Sequence, residues 1–314
     1  MNKKNLIFAL FVPVLFVLSG CTSAQRATPA TIPTTTPAAS PTPVATMVPG
    51  DAERTVTIGG TQRMYLLHIP PGLTAGQPLP LVLVFHDLFA NAEYARQVTG
   101  FDDIADAHGF LVAYPNGSGP DPNSLSFNAG PCCGVAAEQN IDDEAFVRTI
   151  LSDLGTVVRI DFHRIYSTGW GNGAFFSNRL GCDMSGTFAA IATVNGALPY
   201  DPCRPEQQVS VIHLHGLKDK FMPYAGGGRK IGTLDQPYPP ARDVVTAWAT
   251  RDGCSDGAQE TQNGLVTRIV FDGCPAGINV EIDTLSGIGH SWPSQYAVPA
   301  SEMIWDFFAA HPKP

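Results

Sequence analysis

The chain has 314 residues, with 19 lysines and arginines against 28 aspartates and glutamates, and a formal net charge of −9 at pH 7. This acidic balance, without basic clusters, argues against nucleic acid or an anionic membrane surface as a partner. The length suits a leader followed by one large domain, because α/β domains of roughly 250 residues are common.

The first residues predict an export signal. Positive charge at Lys3 and Lys4 precedes an apolar run over residues 6–17, which is shorter than the roughly 20 residues that a membrane span requires. The run ends in the tetrapeptide LSGC at residues 18–21, which resembles a bacterial lipobox. We therefore predict a lipoprotein signal over residues 1–21, a mature chain that starts at Cys21, and a lipid on that thiol. The protein would then be anchored to a bacterial membrane, at the cell surface or in the periplasm.

Two further segments follow the leader. Residues 22–50 consist mainly of Pro, Thr, Ala and Ser with no periodic apolar pattern, which predicts a disordered, extended tether. Residues 51–314 contain the recurring apolar runs that a folded domain needs. The tether would hold this domain away from the membrane.

The pattern over residues 51–314 predicts an α/β fold. Apolar or alternating runs typical of strands cover 54–59, 62–69, 79–85, 110–114, 164–168, 189–194, 209–214 and 280–282. Helical spacing covers 101–108, 144–158, 175–180, 241–250 and 302–310. Strands that alternate with helices predict a mainly parallel sheet with helices on both faces, and its active site would lie at the carboxyl ends of the strands.

The segment from 164 to 184 has the strand, tight turn and helix of a nucleophile elbow. Such an elbow has the pattern G-x-S-x-G, and here Gly169 and Gly173 flank Gly171 at the nucleophile position. Glycine has no atom beyond Cα that could attack a carbonyl. The frame of a serine nucleophile is therefore present without its hydroxyl.

An acid and a histidine follow the elbow in the chain order of a catalytic triad. Asp219 comes just after the predicted strand at 209–214, and His290 lies in a loop after the last predicted strand. In a triad the acid orients the imidazole, which takes the proton from the nucleophile. Each residue alone could be a cap or loop residue, but their joint placement with the elbow favours a catalytic pair.

Three other candidates have ordinary structural interpretations. His213 and His215 face the same way on a strand, but no third ligand has convincing spacing, so we expect no metal. Ser167 lies inside the strand before the elbow and is read as a buried strand residue. Asp87 is not on the elbow, where an aspartate nucleophile would sit, so no nucleophilic role is assigned to it.

Cysteine usage fits an exported protein. With Cys21 assigned to the lipid, an even number remains, which suggests disulfides, although six cysteines allow 15 connectivities. We prefer pairs that close short loops, and the two adjacent cysteines would form a vicinal disulfide or remain thiols. A metal site ranks low because no C-x-x-C pair accompanies them. The preferred pairs are Cys182 with Cys203 and Cys254 with Cys274, and the adjacent residues are Cys132 and Cys133.

Together these motifs resemble the secreted feruloyl esterase and polyhydroxybutyrate depolymerase group of the α/β-hydrolase superfamily. The resemblance covers nearly all of residues 51–314 and implies an α/β-hydrolase fold, carboxylic ester hydrolysis, Asp219 and His290 as triad members, and no cofactor. The matching pieces are His86, FNAGPCCG at 127–134, IDDEAF at 141–146, the elbow, HGxxD at 215–219 with PY at 223–224, residues 248–254, GHSWP at 289–293 and IWDFF at 304–308.

Two departures from this family fall where the chemistry would occur. Gly171 replaces the serine, and the His-Gly pair that usually ends the third strand is His86 and Asp87 here. An aspartate at that place would direct negative charge at the oxyanion hole, where a donor is commonly worth roughly 3 kcal/mol. Asn172 still offers the other backbone N–H of the hole.

The cleft is expected to hold a small-molecule or polymeric ester or saccharide-like ligand. Trp170 and Trp292 flank the elbow and His290, so they could form an aromatic wall, or they could simply pack in the core. Our preferred interpretation is a lipid-anchored family member that has lost serine chemistry and binds a ligand. The alternatives are an ester hydrolase that works through water activated by His290, and a structural surface protein with an unused cleft.

Overall fold

The structure, a computed structural model, describes residues 48–74, 76–197, 202–230, 237–255 and 257–314. The predicted signal, Cys21 and nearly all of the tether lie outside these residues. The strands are β1 (Gly50–Ile58), β2 (Thr61–Ile69), β3 (Leu79–Phe85), β4 (Leu111–Pro115), β5 (Ile160–Trp170), β6 (Ala190–Val194), β7 (Ser210–Gly216), β8 (Gly227–Lys230), β9 (Pro237–Tyr238), β10 (Ala258–Asn263), β11 (Val266–Phe271) and β12 (Val280–Leu285). The helices are α1 (Ala92–Thr99), α2 (Phe101–His108), α3 (Gly134–Glu138), α4 (Asp143–Gly155), α5 (Asn172–Asp183), α6 (Ala241–Arg251) and α7 (Ala300–Ala310), with a 3-10 helix at Pro293–Tyr296.

The main sheet is parallel in its centre and antiparallel at both edges. Its strand order is β1-β2-β4-β3-β5-β6-β7-β12-β11-β10. The central strands β4-β3-β5-β6-β7-β12 pair with their neighbours in parallel. At the edges, β1, β2, β10 and β11 pair antiparallel. The predicted α/β fold with a mainly parallel sheet is confirmed.

Helices cover both faces of the sheet, because alternate residues of each strand point to opposite sides. Leu81, Leu83 and Phe85 of β3 pack in one apolar core with α4, α5 and α6. Val82 and Val84 pack in a second core with α1, α2 and α7. All seven residues of β3 are buried, as expected of a central strand with helices on each side.

The sequence patterns missed the edge hairpin of β10 and β11. Its two-residue turn is Gly264 and Leu265, between the paired residues Asn263 and Val266, and Gly264 has a φ of +58°, which suits glycine in a tight hairpin. All six residues of β10 are exposed, so the strand lacks the apolar alternation on which the prediction relied. The Asn-Gly pair was the available signal.

The two preferred loop-closing disulfides, Cys182–Cys203 and Cys254–Cys274, are present. The adjacent cysteines form the vicinal disulfide Cys132–Cys133, one of the two states left open. In the described part of the chain, no helix has the length and apolar character needed to cross a membrane.

Candidate active site

The elbow has the backbone geometry of a nucleophile turn. β5 ends at Trp170, Gly171 adopts φ 54° and ψ −118°, and α5 begins at Asn172. The flanking glycines are sterically required, because a Cβ at Gly169 or Gly173 would lie 2.6 or 2.2 Å from the carbonyl oxygen of Phe85. A strained turn of this kind normally directs a nucleophilic side chain outward from the sheet.

The space that this side chain would fill contains the carboxylate of Asp87. A Cβ built on Gly171 would lie 1.9 Å from Asp87 Oδ1 and 2.3 Å from its Cγ. The parallel register explains the encounter: Phe85 pairs with Gly169, so the residues two positions further along, Asp87 and Gly171, leave the sheet side by side. Asp87 is not part of the elbow, as predicted, but its side chain reaches the nucleophile position from the neighbouring strand, which the sequence analysis did not anticipate.

Asp87 also fills the oxyanion hole. Its Oδ1 accepts hydrogen bonds from the backbone N–H of Asn172 at 2.8 Å and of Leu88 at 2.6 Å. These are the donor after the nucleophile position and a donor from the loop after β3, the two sources expected of such a hole. The carboxylate therefore occupies both the space over Gly171 and these two backbone donors.

His290 lies between two carboxylates. Its Nδ1 donates to Asp219 Oδ2 at 2.7 Å, and its Nε2 is 3.1 Å from Asp87 Oδ2. Burial would lower the pKa of His290, but the hydrogen bonds and charges of Asp219 and Asp87 outweigh it and raise the pKa to about 10. The imidazole is therefore a cation near neutral pH, and both of its N–H groups donate to carboxylates.

Backbone donors fix the acid, and an unpredicted residue fixes the histidine loop. Asp219 Oδ1 accepts from the N–H groups of Phe221 and Met222, both at 2.8 Å. Asn195, which is fully buried after β6, donates through Nδ2 to carbonyl oxygens on either side of His290 and accepts through Oδ1 from Gly216. Sequence reasoning missed Asn195, and its only signal was an amide directly after a buried strand.

His86, the residue before Asp87 at the end of β3, supports the position of Asp87. The buried ring donates from Nδ1 to the carbonyl oxygen of Asp87 at 2.7 Å and accepts at Nε2 from the N–H of Gly117 at 2.9 Å. Burial lowers the pKa of His86 to about 4, so the ring is neutral. It holds the backbone at the end of β3 without adding charge to the site.

His213 and His215 form a relay of hydrogen bonds instead of a metal site. His213 lies between Thr193 Oγ1, at 2.7 Å from its Nδ1, and His215 Nδ1, at 2.9 Å from its Nε2. His215 Nε2 then donates to the carbonyl oxygen of Met222 at 2.8 Å. Every ring nitrogen of the pair has a partner, which leaves no free ligand atom there.

Elsewhere in the described residues, one cluster has metal-like spacing: Asp51, His68 and Asp102. Arg96 forms ion pairs with both of its aspartates. Arg96 therefore already supplies a positive charge to both carboxylates of this cluster.

The site opens into a cleft with a volume of about 590 Å³. Trp170 and Trp292 line one wall, with ring centroids 6.0 Å apart and edge to face. Both are largely buried, and Trp292 Nε1 donates to Ser301 Oγ, so these rings serve packing as well as the wall. The remaining lining residues are Asp87, Leu88, Phe89, Ala90, Asn91, Glu93, Tyr94, Gln97, Val98, Asn123, His290, Ser291 and Gln295.

Comparisons with known proteins agree with this fold. The model of the esterase PHB depolymerase family matches residues 63–210, which include Asp87 and Gly171 but neither Asp219 nor His290. The chain is 28% identical over 317 residues to the putative esterase NocK of Nocardia uniformis subsp. tsuyamanensis, covering 90% of this chain and 88% of that protein.

Two fungal proteins extend the comparison. Feruloyl esterase B of Piromyces equi is 25% identical over 252 residues, which cover 78% of this chain and only 44% of that protein. Acetyl xylan esterase from Aspergillus awamori has a similar structure, with a TM-score of 0.56 and 14% identity over 82% of this chain and 99% of that one. At this identity the structural likeness establishes the fold alone.

Proposed function

We propose that this protein binds a ligand in the bacterial cell envelope and lacks serine-esterase activity. The chain has the α/β-hydrolase fold and is related to feruloyl esterases and polyhydroxybutyrate depolymerases. One observation carries this proposal. The carboxylate of Asp87 fills the space over Gly171 and takes both hydrogen-bond donors of the oxyanion hole.

This arrangement opposes acyl transfer in two ways. No hydroxyl stands at the elbow, and an ester carbonyl that entered the hole would have to displace an anion already bound by two N–H groups. An oxyanion that developed there would also lie beside a second negative charge, which removes the stabilisation that normally supplies several kcal/mol per site.

Hydrolysis by water activated at His290 has little support. A general base needs a free nitrogen near the pH of the reaction. Here both ring nitrogens of His290 meet carboxylates, and its pKa is raised to about 10. The unmodified site therefore presents a proton donor instead of a base.

The cleft supports an uncharged ligand with a flat or sugar-like group. Its volume of about 590 Å³ lies within the usual range of small-molecule sites. Aromatic rings of Tyr94 and Trp170, with centroids 6.0 Å apart, lie beside the amide side chains of Asn91 and Gln97. Glu93 and the anion of the site disfavour a free carboxylic acid, so an ester or saccharide is the better match.

Export and lipid anchoring remain proposals from the sequence. The LSGC tetrapeptide at 18–21 and the preceding apolar run support attachment through Cys21 to a membrane. The three disulfides of the folded domain support an oxidising compartment such as the periplasm or the cell surface.

The proposal is tested by hydrolysis and binding in parallel. The purified protein and its His290→Ala variant are compared for hydrolysis of a short-chain aryl ester and of methyl ferulate, and tryptophan fluorescence follows saturable binding of methyl ferulate and of xylo-oligosaccharides. We expect equal background hydrolysis in both proteins and saturable binding of at least one probe. Hydrolysis that depends on His290 would establish a working esterase, and the absence of binding to every probe would contradict the proposed cleft function.

A further inference from the structure

The two oxygens of Asp87 have different surroundings. Oδ1 is held by the N–H groups of Leu88 and Asn172, at 2.6 and 2.8 Å. Oδ2 lies 3.1 Å from His290 Nε2, and both residues line the cleft. One oxygen is thus held by two backbone donors, while the other is paired with a proton donor of the cleft.

We propose that Asp87 is a carboxylate nucleophile that attacks the sp3 carbon of an uncharged epoxide, with His290 acting first as the proton donor and then as the base. Carboxylates of Asp and Glu serve as covalent nucleophiles in several enzyme classes. Attack on an ester carbonyl would be unproductive, because it forms an anhydride and expels an alkoxide, a much poorer leaving group than the carboxylate. Attack on an sp3 carbon forms a stable ester instead.

The first step is balanced by the groups that are present. Asp87 Oδ2 forms a bond to one epoxide carbon, and the bond from that carbon to the ring oxygen breaks. The ring oxygen takes the proton from His290 Nε2, which lies next to Oδ2. The products are an alkyl ester of Asp87, a hydroxyl on the neighbouring carbon and a neutral His290. A halide leaving group would need no proton, so the cationic donor favours an epoxide.

The second step hydrolyses the ester of Asp87 and uses the same residues. Water attacks Asp87 Cγ while the neutral imidazole of His290 takes its proton, and the carbonyl oxygen that becomes negative is Oδ1. This atom already lies between the two backbone donors, at distances suited to an oxyanion. The bond between Asp87 Cγ and Oδ2 then breaks, and the alkoxide that departs with Oδ2 receives the proton from His290. The oxygen of the attacking water remains in the carboxyl group of Asp87, which passes its proton back to His290. The sum is an epoxide plus water giving a diol.

The charge state of His290 follows the cycle. With Asp87 ionised, the pKa of His290 is raised to about 10, so it enters the first step as an acid. Esterification removes the charge of Asp87, one of the two groups that raise this pKa. The imidazole is then a better base when water must be activated, while Asp219 continues to orient it through the 2.7 Å hydrogen bond.

The test uses styrene oxide, an uncharged aryl epoxide that suits the wall formed by Trp170 and Trp292. The purified protein is incubated with this probe and diol release is followed by chromatography. A single turnover in ¹⁸O-labelled water is then examined by peptide mass spectrometry. We expect diol formation and one labelled oxygen in the peptide that contains Asp87, because water attacks the carboxyl carbon and not the substrate.

Variants separate the roles. Asp87→Asn is expected to abolish diol formation, and His290→Gln to lower it by at least about 100-fold. Asp243→Asn, on the exposed side of α6, is the matched change of a carboxylate to an amide and is expected to have no effect. Thermal unfolding of each variant shows that it is folded, and the labelling experiment needs no variant at all.

This chemistry goes beyond ligand binding, and the two have separate readouts. Binding of methyl ferulate or a xylo-oligosaccharide without any diol would leave the proposed function standing and overturn the role of Asp87 as a nucleophile. Diol formation without label in the Asp87 peptide would also overturn it, since water would then attack the epoxide directly.

Discussion

The contact between Asp87 and Gly171 predicts that introducing a serine at position 171 alone destabilises the protein. In Gly171→Ser the new Cβ would lie 1.9 Å from Asp87 Oδ1, far inside any tolerated separation, so the carboxylate must leave the oxyanion hole. The variant would therefore lose the hydrogen bonds that Asp87 accepts from Leu88 and Asn172, as well as its pairing with His290. It should be less stable and inactive as an esterase.

The expected magnitude follows from these contacts. Hydrogen bonds to charged groups contribute about 1.5–3 kcal/mol each, although a displaced carboxylate regains water at the cleft, which favours the low end for the pair. A side chain at φ 54° adds about 1–2 kcal/mol of backbone strain. We expect Gly171→Ser to lower the free energy of unfolding by about 4 kcal/mol. In an Asp87→Gly background only the strain remains, so the coupling between the two sites is about 2–3 kcal/mol.

A double-mutant cycle measured by urea unfolding tests this coupling. Gly59→Ser is the matched control, since Gly59 has a φ of +55° but nothing within 4 Å of its Cβ position, so it reports strain without the clash. The double variant with Gly171→Ser and Asp87→Gly should also hydrolyse a short-chain aryl ester, and a further His290→Ala change should remove this activity. Additive effects of the two single changes, within about 0.5 kcal/mol, would refute the proposed shared space.

Three further predictions concern the surroundings of the site. Because folding raises the pKa of His290 from near 6.5 to about 10, the unfolding free energy should fall as pH rises through this window, by up to about 1.4 kcal/mol per pH unit. Urea titrations at pH 7 and 9 measure this decline, which His290→Gln should lack. An equal decline in the wild-type protein and the variant would contradict the charged state of His290. Asn195→Ala removes two hydrogen bonds to the histidine loop and leaves the N–H of Gly216 unpaired, so it should cost about 2–3 kcal/mol and speed amide exchange over residues 287–292; unchanged exchange would exclude this anchoring role. Replacing both Cys182 and Cys203 by Ala removes a disulfide with a sequence separation of 21 and should lower the free energy of unfolding by about 3 kcal/mol, as measured by calorimetry. The reduced wild-type protein is the comparison, and it should be equally or more destabilised.

The regular elements could be predicted because burial on both faces leaves a clear trace in the sequence. The run at 79–85 is continuous in apolar residues, and β3 occupies these same residues. Helices of the two faces were predicted within a few residues of their ends for the same reason. Two smaller elements were not predicted. Strand β10 is exposed throughout, and helix α1 depends on a cap at Asn91, whose side chain accepts a hydrogen bond from the N–H of Tyr94.

The contact between Asp87 and Gly171 could not be predicted from sequence patterns, because it depends on the pairing of two strands that are distant in the sequence. Asp87 was predicted to harm the oxyanion hole, and the structure places its carboxylate on the donors there. That it also fills the nucleophile position follows only once β3 and β5 are known to be neighbours in register. Asp219 and His290, which were identified from chain order, do lie together, at 2.7 Å.

The shared space over Gly171 also fixes the order in which this site can change. A serine at 171 and an aspartate at 87 cannot both take the observed conformations, since their atoms would overlap. A route of single substitutions between a serine site and this one therefore passes most readily through the intermediate with small residues at both positions. In the direction of loss, the hydroxyl disappears before the carboxylate arrives. In the direction of recovery, the carboxylate must leave first, so libraries that vary position 171 alone would find no functional serine site.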